Sequence, residues 1–508
     1  MIVAAEATFM ASISHAPASP QIVLLGSGNS PIIGWSCGHI CFSKTSKSCH
    51  KCGIMIDTAS DHPGHVSAFR FFFLRIILLA VMVVLVTMVS SCRLVDLRHN
   101  VKQMNAHGLV LARVDPVSDT IPTYVVAWRQ ESGGRVEIAG LQRVQTNGVV
   151  VFLLLKDRTY EIGAFTDVNR DGHYEGGEPT DFARNVHPTS LSDPHAWAHV
   201  LELHLSRTNG LPPGQKVELP AEGTVPRGEL PVAIGAIADL KAPQFSSDVG
   251  EDGMWEPYEF LIAHGMGIYF VKPYDEKKVP VVLVYGIAGS VQDWREVIAA
   301  MDHSRYQPWL FYYPSGIRLD KSANALAAAM VALKNRYGFD HLVVVAHSMG
   351  GLVARAAIQR AVSHTSTNFI PEFVTISTPW AGHEAAAMGV KYLDYPVPAW
   401  RDMVPNSDYL KRIFKSPLPT GTRYDLIFSY KSIGGFGLPN DNDGVVGVNS
   451  ELSEQAESQA ASIYGFNLEH MGILQSPDLI DRLEKDLPGV KSDDKDEAKA
   501  SDKPPHER

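Results

Sequence analysis

The stretch VVVAHSMGGLVARAA at positions 343–357 constrains the fold more than any other part of the sequence. Its apolar, β-branched start predicts a buried strand, and the small residues that follow predict a helix. Ser348 lies at the turn between them, inside a nearly complete G-x-S-x-G pattern. Ala346, His347 and Gly350 form the predicted turn around it, where close packing requires small residues. The stretch predicts either a nucleophilic serine or a well-packed junction that merely contains one.

Strand-like and helix-like runs alternate from Val279 onward. The predicted strands are 279–286, 309–314, 341–348, 373–379 and 424–430, and the predicted helices are 293–301, 322–338 and 349–362. Continuous apolar strands that alternate with helices indicate a mostly parallel sheet with helices on both faces. We therefore predict an α/β domain at residues 276–487, followed by a disordered charged tail at 488–508.

A different pattern precedes this domain. Short alternating runs at 109–114, 123–130, 134–144, 148–155, 159–167 and 199–206 are separated by Gly, Asp, Asn and Pro. This pattern predicts a small all-β sandwich at residues 92–220. The proline-rich residues 221–275 are predicted to be a linker and an arm on the next domain, with one short helix at 253–265.

The N-terminal part contains an apolar run at residues 71–89 that only Arg75 interrupts. Its uninterrupted part, 76–89, has the length of the apolar region of a signal peptide. The residues Val89-Ser90-Ser91-Cys92 resemble the lipobox of bacterial lipoproteins, which implies lipidation of Cys92. The alternative is a single transmembrane helix at 71–90. Both interpretations place residues 93–508 outside the cytoplasm on a membrane, and Arg93 after the cysteine favours the outer membrane.

Met55 is a sensible start for this signal peptide or anchor, predicted at 55–91. Residues 1–54 are then expected to be untranslated or disordered. Their four cysteines superficially resemble a zinc site, but the loop between the pairs is short for one. The net charge of −10 gives no indication of a nucleic-acid partner.

Partners for Ser348 follow in the order that serine hydrolases with a strand-turn-helix nucleophile require, an acid and then a histidine. Asp443 lies in the loop after the strand at 424–430, and Asp441 is a rival two residues earlier. His470 is the only histidine after that acid, apart from His506 in the tail. His470 would act as the base, and Asp443 would orient it.

A serine mechanism also needs N–H donors for the developing oxyanion. The amide of Met349, directly after the serine, is one candidate. The second is the amide of Ile287, in the glycine-containing loop that follows the first strand of the domain. The alternative for this loop is a strand-helix turn that binds no ligand.

The motifs YGIAGS, AHSMGGLVAR, ISTPWAGH, DGVV and EHMGIL, in this order, resemble α/β-hydrolases of the lipase and esterase group. ISTPWAGH is similar to a turn in lecithin:cholesterol acyltransferase-like lipases and glycosylphosphatidylinositol deacylases. The family's usual His-Gly in the oxyanion loop is Tyr285-Gly286 here, which keeps the backbone donor. The resemblance implies the fold and the three site residues, and it does not specify the substrate.

The first domain contains D-x-N-x-D-G-x5-E, formed by Asp167, Asn169, Asp171 and Glu178 around a glycine. Alternating oxygen ligands of this kind suit a structural calcium ion. Hairpin turns rich in Asp, Asn and Gly also occur in extracellular sandwiches without a metal. The serine chemistry requires no cofactor.

The sequence thus predicts a membrane-anchored, extracytoplasmic hydrolase of carboxylic esters, with a lipid-like ester as substrate. One alternative is an acyltransferase of the same fold, in which an alcohol replaces water. The other is a binding lipoprotein in which the second domain is catalytically idle.

Overall fold

The computed structural model describes residues 93–486, except for 119, 131–135, 145–147, 175–176, 192–199, 207–229 and 432–440. The predicted signal peptide, Cys92, the cysteines of residues 1–54 and the charged tail therefore lie outside the described residues. Among the described helices, none has both the length and the apolar character needed to cross a membrane.

The first domain is a sandwich of two four-stranded sheets. The strands are β1 (His107–Asp115), β2 (Thr123–Gln130), β3 (Val136–Arg143), β4 (Val149–Leu155), β5 (Tyr160–Thr166), β6 (Thr180–Val186), β7 (Thr189–Ser190) and β8 (Val200–His204). One sheet has the order β4-β1-β7, with β8 also pairing with β1, and the other has the order β3-β2-β5-β6. Alternate residues such as Val125, Phe152 and Ile162 point inward and form one core. The predicted sandwich is thus shown in part, over strands β1 to β8, while residues 93–106 of the predicted range 92–220 form a helix.

The second domain is built on one eight-stranded sheet. Its strands are β9 (Val232–Ile237), β10 (Met266–Phe270), β11 (Val279–Val284), β12 (Tyr306–Tyr312), β13 (Val343–His347), β14 (Glu372–Ile376), β15 (Arg423–Ser429) and β16 (Ser462–Phe466). The order is β16-β15-β14-β13-β11-β12-β10-β9. All neighbours pair in parallel except β10 and β12. The predicted α/β fold with a mostly parallel sheet is confirmed.

Most of the helices accompany this sheet and connect its strands, whereas the helix at residues 93–106 precedes the first strand of the sandwich. The helices are α1 (residues 93–106), α2 (Ser247–Trp255), α3 (Pro257–His264), α4 (Arg295–Ala300), α5 (Leu319–Tyr337), α6 (Met349–Thr365), α7 (Glu384–Tyr392), α8 (Pro398–Met403), α9 (Asp408–Lys415), α10 (Val448–Glu451), α11 (Glu454–Glu457) and α12 (Pro477–Asp486). Short 3-10 helices in the described residues are Pro243–Phe245, Val291–Trp294 and Gly472–Gln475. Helix α5 ends at Gly338, which takes the left-handed conformation expected of a helix stop.

The segment predicted as linker and arm contains part of the main sheet. Strands β9 and β10 both lie within residues 221–275, and β10 pairs with β12. Their sequences, VAIGAI and MGIYF, are short and contain glycine, so the sequence alone gives a weak strand signal. The predicted single helix is two helices, α2 and α3, because Pro257 starts a new helix after Glu256.

The two domains share a buried contact. Strand β4 is buried on both sides: Phe152 points into the sandwich core, while Val151 and Leu153 pack against Tyr258 and Leu261 of α3. Helix α1 strengthens the same contact, because the Asn100 side chain accepts hydrogen bonds from the backbone of α3.

Candidate active site

Ser348 lies between β13 and α6, at the carboxyl end of a central strand. Its backbone has φ 54° and ψ −133°, a conformation that L-residues rarely adopt. The Ser348 amide donates to the Ile376 carbonyl at 2.8 Å, which fixes the turn to β14. A strained turn of this kind lifts the hydroxyl out of the sheet toward the start of the helix.

The small residues of this turn are required by contact distances. A Cβ on Gly350 would lie 2.5 Å from the carbonyl oxygens of Val284 and Tyr285. A Cβ on Gly286 would lie 2.7 Å from the Ser348 Cβ and 3.1 Å from its Oγ. Ala346 is fully buried in β13. Larger side chains at these positions would displace the serine.

His470 and Asp443 form a close, buried pair. The His470 Nδ1 lies 2.6 Å from Asp443 Oδ2, and the His470 amide donates to the Asp443 carbonyl at 2.9 Å. Asp443 is 1% exposed and His470 is 5% exposed. With its Nδ1 bound to the carboxylate, the imidazole keeps Nε2 as the nitrogen that can exchange a proton.

The Asp443 carboxylate accepts several further hydrogen bonds. Oδ1 accepts from the amides of Val445 at 3.0 Å and Val446 at 2.7 Å, while Oδ2 also accepts from the Ser429 hydroxyl at 2.8 Å. Burial alone would raise the Asp443 pKa, but His470 and these donors outweigh it and hold the pKa well below its usual range. Asp443 is therefore ionised at neutral pH.

The rival acid, Asp441, lies in a different environment. Its side chain is exposed, and its carbonyl accepts from the Val448 amide. The geometry thus favours Asp443 over Asp441 as the partner of His470.

The two predicted oxyanion donors are both available. Within the described part of the chain, neither the Ile287 amide nor the Met349 amide donates to a protein acceptor. The Met349 amide is free because it lies in the first turn of α6, where amides have no acceptor within the helix. Ile287 belongs to the loop after β11, whose next amide, that of Ala288, donates to Ser315 Oγ at 2.9 Å.

Tyr285 holds this loop to the end of β12. Its ring stacks on Tyr313, with 4.7 Å between ring centroids. Tyr313 Oη donates to the Tyr285 carbonyl at 2.7 Å, and the Tyr313 amide donates to Tyr285 Oη at 2.8 Å. Tyr285 therefore stabilises the loop where the resembled family has histidine.

Helix α2 supports the loop from the other side. A Cβ on Gly250 would lie 2.5 Å from the Gly289 carbonyl oxygen, so the helix backbone and the loop are in direct contact. Part of the predicted arm thus lies against the predicted oxyanion loop.

His347 has a structural role that the sequence does not reveal. Its Nε2 donates to the His470 carbonyl at 2.9 Å, which ties β13 to the turn that carries His470. Burial, followed by the charge of His470, lowers the His347 pKa to about 3. His347 is therefore neutral at neutral pH.

The ISTPWAGH turn holds the loop of the acid in place. His383 Nε2 donates to the Val445 carbonyl at 2.8 Å, and Ser450 Oγ donates to the Gly382 carbonyl at 2.6 Å. Burial lowers the His383 pKa, so this histidine also stays neutral. No local sequence pattern indicates these contacts or the role of Ser429, because they join segments that lie far apart in the chain.

A groove of about 1040 Å³ opens beside this turn. Its lining includes apolar Trp380, Leu410 and Phe414, basic Lys411 and Lys415, and Val445 of the acid loop. Among the described residues that line it, neither Ser348 nor His470 occurs.

The aromatic segment at residues 390–400, which contains the start of α8, packs onto the protein. Val397 and Ala399 are fully buried, and the Ala399 amide donates to the Gly316 carbonyl. Trp400 stacks edge-on against Trp255 of α2. These contacts indicate that most of the segment covers the core, although Tyr392 is exposed.

The calcium motif uses its oxygens within the loop. Asp167 accepts from the amides of Asp171 and Gly172, Asp171 accepts from the His173 amide, and Glu178 accepts from the Val168 amide. The Asn169 oxygen also accepts from the Asp171 amide. In the described part of the chain, no three His, Cys, Asp or Glu residues are grouped to hold a metal ion. In this arrangement the motif is a hydrogen-bonded turn, and the calcium ion stays a prediction.

A family model described as alpha/beta hydrolase fold matches residues 279–409. The second domain has the α/β-hydrolase fold. The match covers β11 to β14, Ile287, Ser348 and Met349, and it ends before Asp443 and His470. Comparison with curated proteins gave no match.

Three solved structures are similar to this α/β-hydrolase domain. A gene product of Listeria innocua is 17% identical with a TM-score of 0.32, covering 40% of this chain and 92% of that chain. The mature lipase BlEst2 of Bacillus licheniformis is 18% identical with a TM-score of 0.33, and the similarity covers 41% of this chain and 92% of the lipase. The esterase RhEst1 of a Rhodococcus species is 15% identical with a TM-score of 0.32, and the similarity covers 44% of this chain and 94% of the esterase.

Proposed function

We propose that this α/β-hydrolase cleaves carboxylic esters through an acyl-enzyme on Ser348. The observation that carries the proposal is the buried Asp443–His470 pair, which follows a strained Ser348 in a fold that presents such serines. The family match supports hydrolase activity in general, and the ester bond is the finer part of the proposal.

The residues would divide the reaction as follows. His470 takes the proton of the Ser348 hydroxyl while Ser348 Oγ bonds to the acyl carbon of the substrate. The π electrons of the substrate carbonyl move to the carbonyl oxygen. The amides of Ile287 and Met349 donate to that oxyanion. When the carbonyl re-forms, the bond to the leaving alcohol breaks, and His470 gives the alcohol its proton. Water then attacks the acyl-enzyme with the same proton transfers and releases the acid. Asp443 stabilises the imidazolium formed in each half.

A fluorophosphonate probe tests the activated serine without knowledge of the substrate. The full chain in mild detergent is compared with Ser348→Ala, His470→Ala and, as a matched control, Ser458→Ala, which removes an exposed hydroxyl. We expect covalent labelling of the wild type and the control only. A folded wild-type protein that stays unlabelled in detergent would contradict the proposal.

We further propose that the substrate is lipid-like and that the protein acts outside the cytoplasm, anchored to a membrane. The apolar run at 71–89 and the lipobox-like residues ending at Cys92 support this location. A groove whose lining includes Trp380, Leu410 and Phe414 adjoins Val445 of the acid loop, and we propose that it receives part of an apolar substrate. A mature protein without lipid on Cys92, measured by mass spectrometry, would contradict the lipoprotein part.

A rising alcohol concentration that diverts the acyl product would identify an acyltransferase.

A further inference from the structure

A second carboxyl group is buried beside the Asp443–His470 pair. Glu451 ends helix α10, eight residues after Asp443, and is 1% exposed. Glu451 belongs to none of the sequence motifs, and the proposed reaction does not use it. Buried carboxyl groups are rare and costly unless they are neutral or paired, so its position requires a physical explanation.

Ser429, at the end of β15, connects the two carboxyl groups. Its amide donates to Glu451 Oε2 at 3.1 Å, and its hydroxyl donates to Asp443 Oδ2 at 2.8 Å. The Ser377 hydroxyl lies 2.6 Å from the Ser429 hydroxyl. Since the single Ser429 hydroxyl hydrogen goes to Asp443, Ser377 must donate to Ser429. Hydrogen-bond donation therefore runs from Ser377 to Ser429 and from Ser429 to Asp443, which binds His470. Glu451 joins this series by accepting from the Ser429 amide.

The two carboxyl groups differ in charge. Burial, and next the negative charge of Asp443, raises the Glu451 pKa to about 10. Asp443 remains ionised because His470 and its hydrogen-bond donors stabilise the negative form. Hydrogen bonding also acts on the Glu451 pKa: the Ser429 amide and the Ser377 hydroxyl lower it, and the Asp443 side chain raises it. Glu451 therefore carries its proton at neutral pH. Its Oε1 has no hydrogen-bond partner among the described residues.

We propose that Glu451 is a positioning residue, a neutral carboxyl group that fixes Ser429 and thereby aims the Asp443 carboxylate at His470. The inference rests on the proposed function for its effect on catalysis. An apolar side chain would leave the Ser429 amide without an acceptor, and an ionised one would place a second negative charge next to Asp443. A neutral acid avoids both.

The substitutions Glu451→Leu and Glu451→Gln separate these roles. Leucine has a similar size but accepts no hydrogen bond, so we expect kcat for a model ester to fall about 10- to 100-fold with KM nearly unchanged. Glutamine is neutral and keeps an acceptor, so it should restore kcat to within about threefold of the wild type. A folded Glu451→Leu protein with wild-type kcat would overturn the proposal.

The dependence of kcat/KM on pH tests the charge of Glu451, through the fall of kcat/KM on the acid side. If Glu451 is neutral, Glu451→Gln leaves the midpoint of this fall in place. A midpoint that moves to lower pH in Glu451→Gln would mean that an ionised Glu451 stabilises the imidazolium, which overturns the neutral-acid role.

Ser429→Ala provides a second route if Glu451→Leu does not fold. It removes the donor to Asp443 and keeps the amide that binds Glu451, so kcat should fall by a similar factor. Where Glu451→Leu folds, combining it with Ser429→Ala should add little further loss, since both substitutions act on Asp443 through Ser429. A full multiplicative loss would show that Glu451 acts independently of Ser429.

A measurement independent of activity is the pH dependence of unfolding. Glu451 holds its proton in the folded state up to about pH 10 but loses it near pH 4.5 when unfolded. The unfolding equilibrium constant of the wild type should therefore rise with pH, relative to Glu451→Gln, by up to tenfold per unit between these values. If the unfolding equilibrium constants of the wild type and Glu451→Gln depend equally on pH, the neutral-acid role of Glu451 is overturned, even if the protein proves inactive. Failure of the probe to label the wild type would instead contradict only the proposed function.

Discussion

At the scale of single residues, the site depends on a few side chains in unusual environments. Ser348 has a positive φ, Asp443 is a buried charge, and His470 is bound on one ring nitrogen. A strained or desolvated residue persists only where its surroundings compensate, and here the compensation is a set of hydrogen bonds from distant segments.

Asp443→Asn should reduce kcat by roughly 10⁴-fold, because the amide stabilises the imidazolium poorly and favours the wrong imidazole tautomer. Asp441→Asn is the matched control and should leave kcat within about twofold, since the Asp441 side chain is exposed. Steady-state hydrolysis of a model ester measures both. A larger loss in Asp441→Asn than in Asp443→Asn would assign the acid to Asp441.

At the scale of elements, the predicted oxyanion loop is held between two supports. Tyr285 and Tyr313 hold it to β12, and α2 contacts it at Gly250 and Gly289. Two residues in this region, Ala288 and Ser348, have positive φ although neither is glycine. Helix α2 is thus part of the construction of the site.

Gly250→Ala should lower kcat by about 10- to 100-fold, although alanine is the better helix former by about 1 kcal/mol. The added Cβ would lie 2.5 Å from the Gly289 carbonyl, so the loop must move. Gly253→Ala in the same helix is the control, since its Cβ would meet the Phe260 ring at 3.1 Å, and a ring can shift more easily than backbone. Equal effects of the two substitutions on kcat would argue against a specific role of the loop.

At the scale of the whole molecule, the sandwich and the α/β-hydrolase domain share a hydrophobic cluster and a buried polar contact. The Asn100 side chain accepts from the amides of Tyr258 at 2.9 Å and Glu259 at 3.0 Å, which satisfies two free donors at the start of α3. Asn100 is 1% exposed, so this hydrogen bonding takes place away from solvent.

Asn100→Ala should reduce the free energy of unfolding by about 1–3 kcal/mol, the usual cost of leaving buried donors unsatisfied. Asn105→Ala, on an exposed face of the same helix, should change it by less than about 0.5 kcal/mol. Denaturant unfolding measures both. An unchanged midpoint in Asn100→Ala would show that the contact contributes nothing to stability.

Acid should destabilise the protein partly through its buried neutral histidines. The His347 pKa of about 3 lies below the unfolded value of 6.5, so the unfolded state binds more protons as pH falls below about 6.5. His347→Gln keeps a side-chain N–H donor and should remove up to about 1.4 kcal/mol per pH unit of this loss. His383 contributes a loss of stability in the same direction, and Asp443 adds its own below about pH 4, where the unfolded state binds a proton that the folded state does not. Urea unfolding between pH 4 and 7 tests this, and parallel curves for wild type and variant would contradict it.

The sequence by itself determined the classes of structure and the residue types of the site. Apolar strands alternating with helices specify the mostly parallel sheet, because a strand buried on both faces has to be apolar throughout. The small residues around Ser348 mark the strand-helix turn, because close packing there excludes larger side chains. Alternation of period two specifies the sandwich, although β9 and β10 are too short and too rich in glycine to be recognised as part of the larger sheet.

Only the tertiary structure decided which groups meet. The choice of Asp443 over Asp441 depends on burial and on hydrogen bonds from Ser429, Val445 and Val446, which no local pattern encodes. Glu451 is an ordinary surface-type residue in sequence, and its neutral state arises from burial beside a charge. Protonation and orientation depend on long-range contacts and desolvation, so they follow from the packed molecule rather than from the order of its residues.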